Sequence, residues 1–242
     1  MSQRQDCTGL RVAITGGTSG LGRALVDAWH ARGAQVALVA RDAARVHAVA
    51  AARERVIGIA GDISDKASIH GIALQMMGLL GGIDVLVNNA SSLGPVPLAL
   101  LADTDCEAFE TALATNLLGP FRLTRALLGA LASAARETGA AAIVNVSSDA
   151  AVSAYPGWGA YGASKAALRH LSAIWRAELA PHRIACLSFD PGDMDTPLHA
   201  LAVPDADRRT LRAPAESARE CIGVVTAALH RTRRPAAVAG DA

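Results

Sequence analysis

Short apolar runs alternate with longer helical patterns along most of the chain, and this alternation restricts the fold more than any other feature. The predicted strands are 11–15, 35–40, 56–60, 84–88, 141–147 and 183–189. The predicted helices are 20–32, 42–54, 65–80, 103–137, 160–180 and 215–230. The strands are continuously apolar instead of alternating with polar residues, which is typical of a parallel sheet covered by helices on both faces.

Strands and helices in this order predict an α/β, Rossmann-type fold, a doubly wound parallel sheet of six to seven strands with helices on both faces. The seventh would be a weak strand at 236–239. The chain has 242 residues, enough for one α/β domain with a sizeable core but too few for two ordinary ones. We therefore expect residues 1–242 to form a single domain.

The charge is nearly balanced, with 23 basic and 22 acidic residues and a net charge of +1. Neither nucleic acid nor a membrane surface is an expected partner of such a chain. No stretch approaches the roughly 18 apolar residues of a membrane span, and the N-terminal segment resembles no secretory signal, so we expect a cytoplasmic protein. The four cysteines and seven histidines are dispersed, so no metal site is expected.

Tyr161 and Lys165 lie four residues apart in a predicted helix, which places both on one face, one turn from each other. A phenol ionises near pH ~10, and a neighbouring ammonium lowers its pKa. The pair is therefore a candidate general acid and base for a substrate oxygen. A packed tyrosine beside a surface lysine is the alternative, since the pattern is short.

A glycine-rich segment, residues 15–22, joins the first predicted strand to the first predicted helix. Gly16, Gly20 and Gly22 would permit a tight turn and a close approach of the backbone to a ligand. The N–H groups at the start of the following helix suit a pyrophosphate. A glycine-rich turn without a ligand is the alternative.

Gly16, Asn88, Ser148 and Pro191 all lie at or just after the carboxyl end of a predicted strand. Ligands of open α/β sheets bind outside these strand ends. The sequence therefore predicts one cleft at this edge of the sheet.

These motifs, in this order and spacing, resemble the short-chain dehydrogenase/reductase family in its classical single-domain form. The resemblance runs from about residue 11 to about residue 196 and rests on residues 15–22, Asn88-Asn89-Ala90, Asn116, Ser148, Tyr161-Gly162-Ala163-Ser164-Lys165 and Pro191-Gly192. It implies hydride transfer between a nicotinamide dinucleotide and a carbonyl or carbinol carbon. Ser91 stands where the family's Asn-Asn-Ala-Gly element ends in glycine, so this loop is expected to bend differently.

The resemblance implies four catalytic residues. Tyr161 would be the general acid or base, and Lys165 would lower its pKa and hold the nicotinamide ribose. Ser148 would hydrogen-bond the substrate oxygen as charge develops on it, and Asn116 would position a water that relays protons. Ser147 competes with Ser148 for its role, but the separation of 13 positions between Ser148 and Tyr161 matches the family's usual spacing.

The resemblance also implies a cofactor site, with NADP(H) expected and NAD(H) as the alternative. Members of the family that prefer NAD carry an acidic residue where this chain has Ala40, and the following Arg41 would accommodate a 2′-phosphate. A shift of two residues would place Asp42 on the ribose instead. The expected cofactor-binding residues are Gly16, Thr18, Ser19, Gly20, Leu21, Gly22, Arg41, Asp62, Ile63, Asn89, Ala90, Tyr161, Lys165, Pro191, Gly192, Met194 and Thr196.

The resulting hypothesis is an NADP(H)-dependent oxidoreductase, a carbonyl reductase acting on a small to medium, mainly neutral carbonyl compound or the matching alcohol. The substrate pocket should draw on 91–98, 149–158 and 194–212, with Tyr155, Trp158, Met194 and His199 as candidate lining residues. One alternative is a non-catalytic dinucleotide-binding sensor or scaffold of the same fold, and another is a lyase or epimerase. We expect a homodimer formed through the helices that contain Asn116 and Tyr161, or a homotetramer.

Overall fold

The computed structural model describes residues 6–233, and these contain a six-stranded sheet. The strands are β1 Arg11–Thr15, β2 Gln35–Ala40, β3 Val56–Ala60, β4 Val85–Asn88, β5 Ala141–Val146 and β6 Ile184–Phe189. They are all parallel, in the order β3-β2-β1-β4-β5-β6. The predicted Rossmann-type, doubly wound sheet is confirmed, whereas the strand suggested at 236–239 lies outside the described residues.

The helices are α1 Gly20–His30, α2 Ala43–Ala51, α3 Ile69–Leu80, α4 Cys106–Leu113, α5 Gly119–Thr138, α6 Gly159–Leu179, α7 Pro197–Ala202 and α8 Pro214–Arg233. The prediction of one continuous helix over 103–137 is wrong, because the π-helical segment Ala114–Leu118 separates α4 from α5. Single π-helical turns inside helices recur at functional sites, and this one carries the buried Asn116. The short helix α7 was not predicted.

Both faces of the sheet are covered, because successive side chains of a strand point to opposite faces. Val12 and Ile14 of β1 pack in the cluster that contains residues of α1, α2 and α8. Ala13 packs in the cluster that contains residues of α3, α5 and α6. The two buried faces explain why the strands are continuously apolar in sequence.

The strand order reverses between β1 and β4, which opens a crevice at their carboxyl ends. Thr15, the last residue of β1, connects the loop after β1 to the loop after β4. Its hydroxyl oxygen accepts hydrogen bonds from the backbone N–H groups of Asn89 at 2.9 Å and Ala90 at 3.0 Å, and the Asn89 side-chain amide donates to the Thr15 carbonyl at 2.8 Å. The asparagine predicted to line the cleft thus also fixes its floor.

Neither a membrane-spanning helix nor a metal-binding cluster is found in the part of the chain that the structure describes. No helix there is both long and apolar enough to cross a bilayer. No group of three or more histidine, cysteine, aspartate or glutamate side chains there could hold a metal ion.

Candidate active site

A cleft with a volume of about 610 Å³ runs along the carboxyl edge of the sheet. Every residue predicted to be catalytic or cofactor-binding lines it, apart from Asn116. The structure therefore brings together residues that are up to 180 positions apart in the chain, from Gly16 to Thr196.

The glycine-rich loop between β1 and α1 is closely packed. Gly16 has a φ of +69°, and a Cβ there would lie 2.9 Å from the Ala90 Cα atom. A Cβ on Gly22 would collide with the Gly16 carbonyl oxygen. Ser19 is the N-cap residue of α1, but its hydroxyl makes no capping hydrogen bond and the first turn carries no acidic residue. The N–H groups of this helix end are therefore free for an anionic ligand.

At the end of β2, Arg41 and Asp42 both line the cleft, but their surroundings differ. The Asp42 carboxylate is the N-cap of α2, where it accepts a hydrogen bond from the Arg45 backbone N–H at 3.0 Å and pairs with the Arg45 Nε atom at 3.2 Å. Within residues 6–233, Arg41 is exposed and takes part in no ion pair. Its guanidinium therefore remains free to bind an anion.

Lys165 is almost completely buried beneath Tyr161, with a relative exposure of 2%. Its ammonium donates a hydrogen bond to the Val146 carbonyl oxygen at 2.8 Å and lies 5.5 Å from the centre of the Tyr161 ring. Burial lowers the pKa of Lys165 to about 8, and the nearby carboxylate of Asp190 opposes this shift. The expected one-turn pairing of Tyr161 and Lys165 is present, but Lys165 is not on the surface.

Tyr161 is buried against the edge of the Trp158 ring, with 5.7 Å between ring centres. The pKa of Tyr161 is raised to about 12, mainly by burial; the hydroxyls of Ser148 and Ser91 oppose this rise, and the carboxylates of Asp190 and Asp149 add to it. This direction is opposite to the one expected from sequence, because burial disfavours the charged phenolate.

Ser148 and Ser147 both line the cleft, but only the Ser148 hydroxyl acts on the pKa of Tyr161, which it lowers. The Ser148 hydroxyl donates to Asp149 Oδ1 at 2.9 Å and accepts from the Ala150 backbone N–H at 3.2 Å. Ser147 is buried, and its backbone N–H donates to the Phe189 carbonyl at 2.7 Å. This arrangement favours Ser148 over Ser147 as the serine that faces a substrate.

Asn116 lies behind the cleft and is fully buried. Its side-chain amide donates to the Ser92 carbonyl at 2.7 Å and to Ser164 Oγ at 2.8 Å, and its oxygen accepts from the Ser92 N–H at 2.8 Å and from Ser91 Oγ at 3.2 Å. Asn116 thus fastens the loop after β4 to α6. A water positioned by Asn116 would need its backbone carbonyl, because the side chain is already occupied.

Thr196 begins α7, and its hydroxyl accepts a hydrogen bond from the His199 backbone N–H at 3.2 Å. The segment that carries α7 is tied down at its base. Arg212 donates to the Pro191 carbonyl at 3.1 Å and to Glu220 at 2.7 Å, and its backbone forms a parallel bridge with Met194. Sequence reasoning missed α7, although Thr196 followed by a proline is an N-cap signal.

At the substrate end, Trp158, Met194 and His199 line the cleft as expected, whereas Tyr155 does not. Tyr155 lies outside the cleft, and its hydroxyl donates to Asp149 Oδ2 at 2.8 Å. Asp149 and Asp190 line the cleft close to Tyr161, and neither was singled out from the sequence. Their positions, directly after Ser148 and directly before Pro191, were the available signal.

Comparison with known proteins identifies the family to which this chain belongs. The family model for short chain dehydrogenases matches residues 11–207. The 2-(R)-hydroxypropyl-CoM dehydrogenase of Xanthobacter autotrophicus is 35% identical over 195 residues, which cover 78% of this chain and 76% of that protein. Some other relatives are longer, and the matched region spans 60% of one and 35% of another.

Solved structures agree with this relationship. A short chain dehydrogenase/reductase family protein has a TM-score of 0.80 and 32% identity, with 93% of each chain covered. The 3-ketoacyl-(acyl-carrier-protein) reductase from Brucella melitensis, complexed with NADH, has a TM-score of 0.84 and 26% identity, covering 90% of this chain and 91% of that one. With the sequence match and the shared fold, the chain belongs to the short chain dehydrogenase family and is an oxidoreductase of the short-chain type.

Proposed function

We propose that this protein is an NADP(H)-dependent carbonyl reductase, which also oxidises the matching alcohol. The observation that carries the proposal is the buried Lys165 beneath Tyr161, with Ser148 beside them, in the cleft that also holds the glycine-rich loop. A buried lysine with one hydrogen bond is costly for a fold to keep, which argues for a chemical role.

The cleft fits a nicotinamide dinucleotide. The open N–H groups at the start of α1 suit the pyrophosphate, and the close packing of Gly16 and Gly22 leaves the backbone itself as the surface that a ligand meets. When bound, the nicotinamide supplies a hydride to a carbonyl carbon or accepts one from a carbinol carbon. Lys165 would hold the nicotinamide ribose, and Pro191, Gly192 and Met194 would cover the ring.

The free guanidinium of Arg41 supports a preference for NADP(H). A 2′-phosphate carries negative charge that an unpaired arginine can bind through two hydrogen bonds. Asp42, the alternative ribose ligand, is already bonded to Arg45 and to the first turn of α2. A carboxylate used in this way is a poor ligand for a ribose hydroxyl.

In the proposed reduction, the Tyr161 O–H bond breaks and its proton passes to the substrate oxygen as the carbonyl carbon gains a hydride. Ser148 binds the same oxygen, and the Lys165 ammonium stabilises the phenolate that Tyr161 becomes. Oxidation runs the same steps in reverse, with the phenolate of Tyr161 accepting the alcohol proton.

Two titrations and one variant test the proposal. Nicotinamide fluorescence with NADPH and with NADH measures each affinity, and we expect tighter binding of NADPH that weakens about tenfold or more in Arg41→Ala. Equal loss of both affinities, or none, would contradict the role of Arg41. Tyr161→Phe should bind NADPH normally yet lose about 10³-fold or more in carbonyl reduction. A protein that binds a dinucleotide but reduces no carbonyl compound would fit the non-catalytic sensor or scaffold, and a protein that binds neither dinucleotide would overturn the proposal.

We also propose a homodimer formed through α5 and α6. Leu118, just before α5, is 39% exposed and Ile174 of α6 is 43% exposed. Phe121 and Trp175 stack across the two helices at 6.2 Å, next to these residues. Light scattering at micromolar concentration should give twice the chain mass, and Ile174→Glu should give the monomer. A wild-type monomer would contradict this interface.

A further inference from the structure

We propose that the substrate end of the cleft contains a subsite for a hydrocarbon group, so that the preferred substrate is a neutral ketone with an apolar chain on one side of its carbonyl group. The inference rests on the proposed function, because it assumes that the cleft binds a carbonyl compound beside Tyr161. It adds to that function the class of substrate and the side chains that select it.

Three segments of the chain place apolar side chains along the substrate end. They are the loop after β4, the start of α6, and α7. The side chains that line the cleft there are Leu93 and Val96 from the loop, Trp158 at the N-cap of α6, and Leu198, Leu201 and Ala202 from α7. We call these six side chains the apolar wall. Ligand pockets are typically apolar with a few polar groups that fix orientation, and Ser148 and Tyr161 are the polar groups here.

The apolar wall is in contact with the tyrosine that would transfer the proton. The Trp158 ring packs at 65° to the Tyr161 ring, with 5.7 Å between the ring centres. Tyr161 and Leu93 belong to one buried cluster. Trp158, Leu198 and Ala202 pack against that cluster. A substrate oxygen within hydrogen-bond reach of the Tyr161 hydroxyl, roughly 3 Å away, therefore brings a substituent of the carbonyl carbon next to this wall.

The sequence of α7 gives this short helix an apolar face. Leu198 lies three positions before Leu201 and four before Ala202, and this spacing places all three on one face of a helix. That face lines the cleft, whereas Ala200 is exposed and does not line it. Helix α7 therefore presents apolar side chains to a bound substrate.

Two members of the apolar wall carry surface that a substrate can cover. Val96 is 51% exposed and Leu201 is 53% exposed. Single exposed apolar side chains are common on protein surfaces, but these two line the same cleft as the buried Leu93. Removing apolar surface from water is favourable, so a hydrocarbon group that covers both side chains would gain affinity from each.

The charges around this end favour a neutral substituent. Asp149 follows β5, Asp190 and Asp193 follow β6, and all three line the cleft. Their carboxylates would repel an anionic substituent. A charge of either sign that is placed against the apolar wall would lose hydration without gaining a partner in the wall. A neutral hydrocarbon group is therefore the substituent that fits this end of the cleft.

The first test compares unbranched methyl ketones, from 2-butanone to 2-octanone, as substrates with NADPH. Each methylene group that becomes buried against the apolar wall should raise kcat/KM about threefold, which amounts to about eightyfold from one end of the series to the other. Equal kcat/KM values across the series would overturn the proposal.

A second test removes the exposed part of the apolar wall. Val96→Ser/Leu201→Ser changes two exposed side chains, so the fold should persist, as circular dichroism can verify. The ratio of kcat/KM for 2-octanone to kcat/KM for 2-butanone should fall about tenfold. The matched control is Val152→Ser/Val203→Ser, because these valines are 70% and 38% exposed and do not line the cleft. The control should keep the wild-type ratio, and an unchanged ratio in the wall variant, or an equal fall in both, would contradict the proposal.

Calorimetric titration with 2-octanone separates the inference from the proposed function, because it needs neither a dinucleotide nor turnover. The wild type and the control should bind 2-octanone about tenfold more tightly than Val96→Ser/Leu201→Ser does. A protein that shows this difference but reduces no ketone would overturn the proposed function and keep the subsite. A protein that reduces 2-butanone and 2-octanone equally well would keep the proposed function and overturn the subsite.

Discussion

Lys165 places a cation in the interior, and within residues 6–233 its one hydrogen-bond partner is the Val146 carbonyl oxygen. Burial lowers its pKa from 10.5 to about 8, which corresponds to a destabilisation of the folded state by about 3 kcal/mol where the residue is charged. The folded protein holds fewer protons on Lys165 than the unfolded chain between these two values. This destabilisation is therefore complete below about pH 8 and fades as the pH rises toward 10.5.

We expect Lys165→Met to raise the free energy of unfolding by about 2 kcal/mol at pH 7, since losing the hydrogen bond to Val146 offsets about 1 kcal/mol of the gain. Reductase activity should be lost in the same variant. Urea unfolding at several pH values measures the difference from the wild type, which should shrink above pH 8. The chain's other lysine, the exposed Lys66, provides the control Lys66→Met, which should change neither stability nor activity. A less stable Lys165→Met at pH 7 would contradict this reading.

The sequence predicted which residues meet at this site but not their ionisation. The spacing of Tyr161 and Lys165 defines one helix face, so their proximity follows from the chain alone. The direction of the Tyr161 pKa depends on burial, to which Trp158 contributes, and on carboxylates in the segments after β5 and β6. Those neighbours are fixed only when the sheet and its loops are assembled.

At the scale of elements, the π-helical turn between α4 and α5 depends on Asn116. Asn116→Ala would leave the backbone groups of Ser92 and the Ser164 hydroxyl without their buried partner. We expect the free energy of unfolding to fall by about 3 kcal/mol, as measured by urea unfolding. Ser133→Ala is the control on α5, where the serine side chain donates a hydrogen bond to the exposed Glu137. An equally small decrease in the free energy of unfolding in both variants would mean that the Asn116 contacts do not support the π-helical turn.

The segment over the cleft depends on the cap of α7. Thr196→Ala removes the side-chain acceptor of the His199 N–H, which should cost this six-residue helix about 1 kcal/mol. Without a dinucleotide, trypsin should then cut faster at Arg208 and Arg209, which lie on the exposed part of the segment. Thr196→Ser should behave as the wild type. Faster cutting in both variants, or in neither, would show that the cap does not hold the segment.

Strands were easier to predict than these two elements for a physical reason. A strand buried on both faces is apolar throughout, so its ends are visible where polar residues begin, and the predicted bounds of all six strands agree with the structure within one residue. The break at Ala114–Leu118 leaves no mark in an apolar helical pattern, because it depends on side-chain contacts with the loop after β4. Helix α7 spans too few residues to show a periodic pattern.

The molecule as a whole has a net charge of only +1, but charge is distributed unevenly along the cleft. At the end of β2, where the adenosine part of a dinucleotide would bind, the charges of Arg41 and Arg45 are balanced by those of Asp42 and Asp62. At the opposite end the lining has the carboxylates of Asp149, Asp190 and Asp193, and among the described residues its only lysine or arginine is the buried Lys165. The balanced composition hides this separation of a neutral end from an acidic end, which only the assembled sheet creates.

This separation predicts a preference among substrates. A ketone that carries a carboxylate should have a kcat/KM about tenfold below that of its neutral methyl ester, because like charges repel at the acidic end. Raising the salt concentration should narrow the difference by screening. Asp193→Asn should also reduce the difference in kcat/KM between the acid and its ester. The rate for the ester should not change, since this exposed carboxylate has no role in the proposed proton transfer. Equal rates for acid and ester at low salt would mean that these carboxylates do not face the bound substrate.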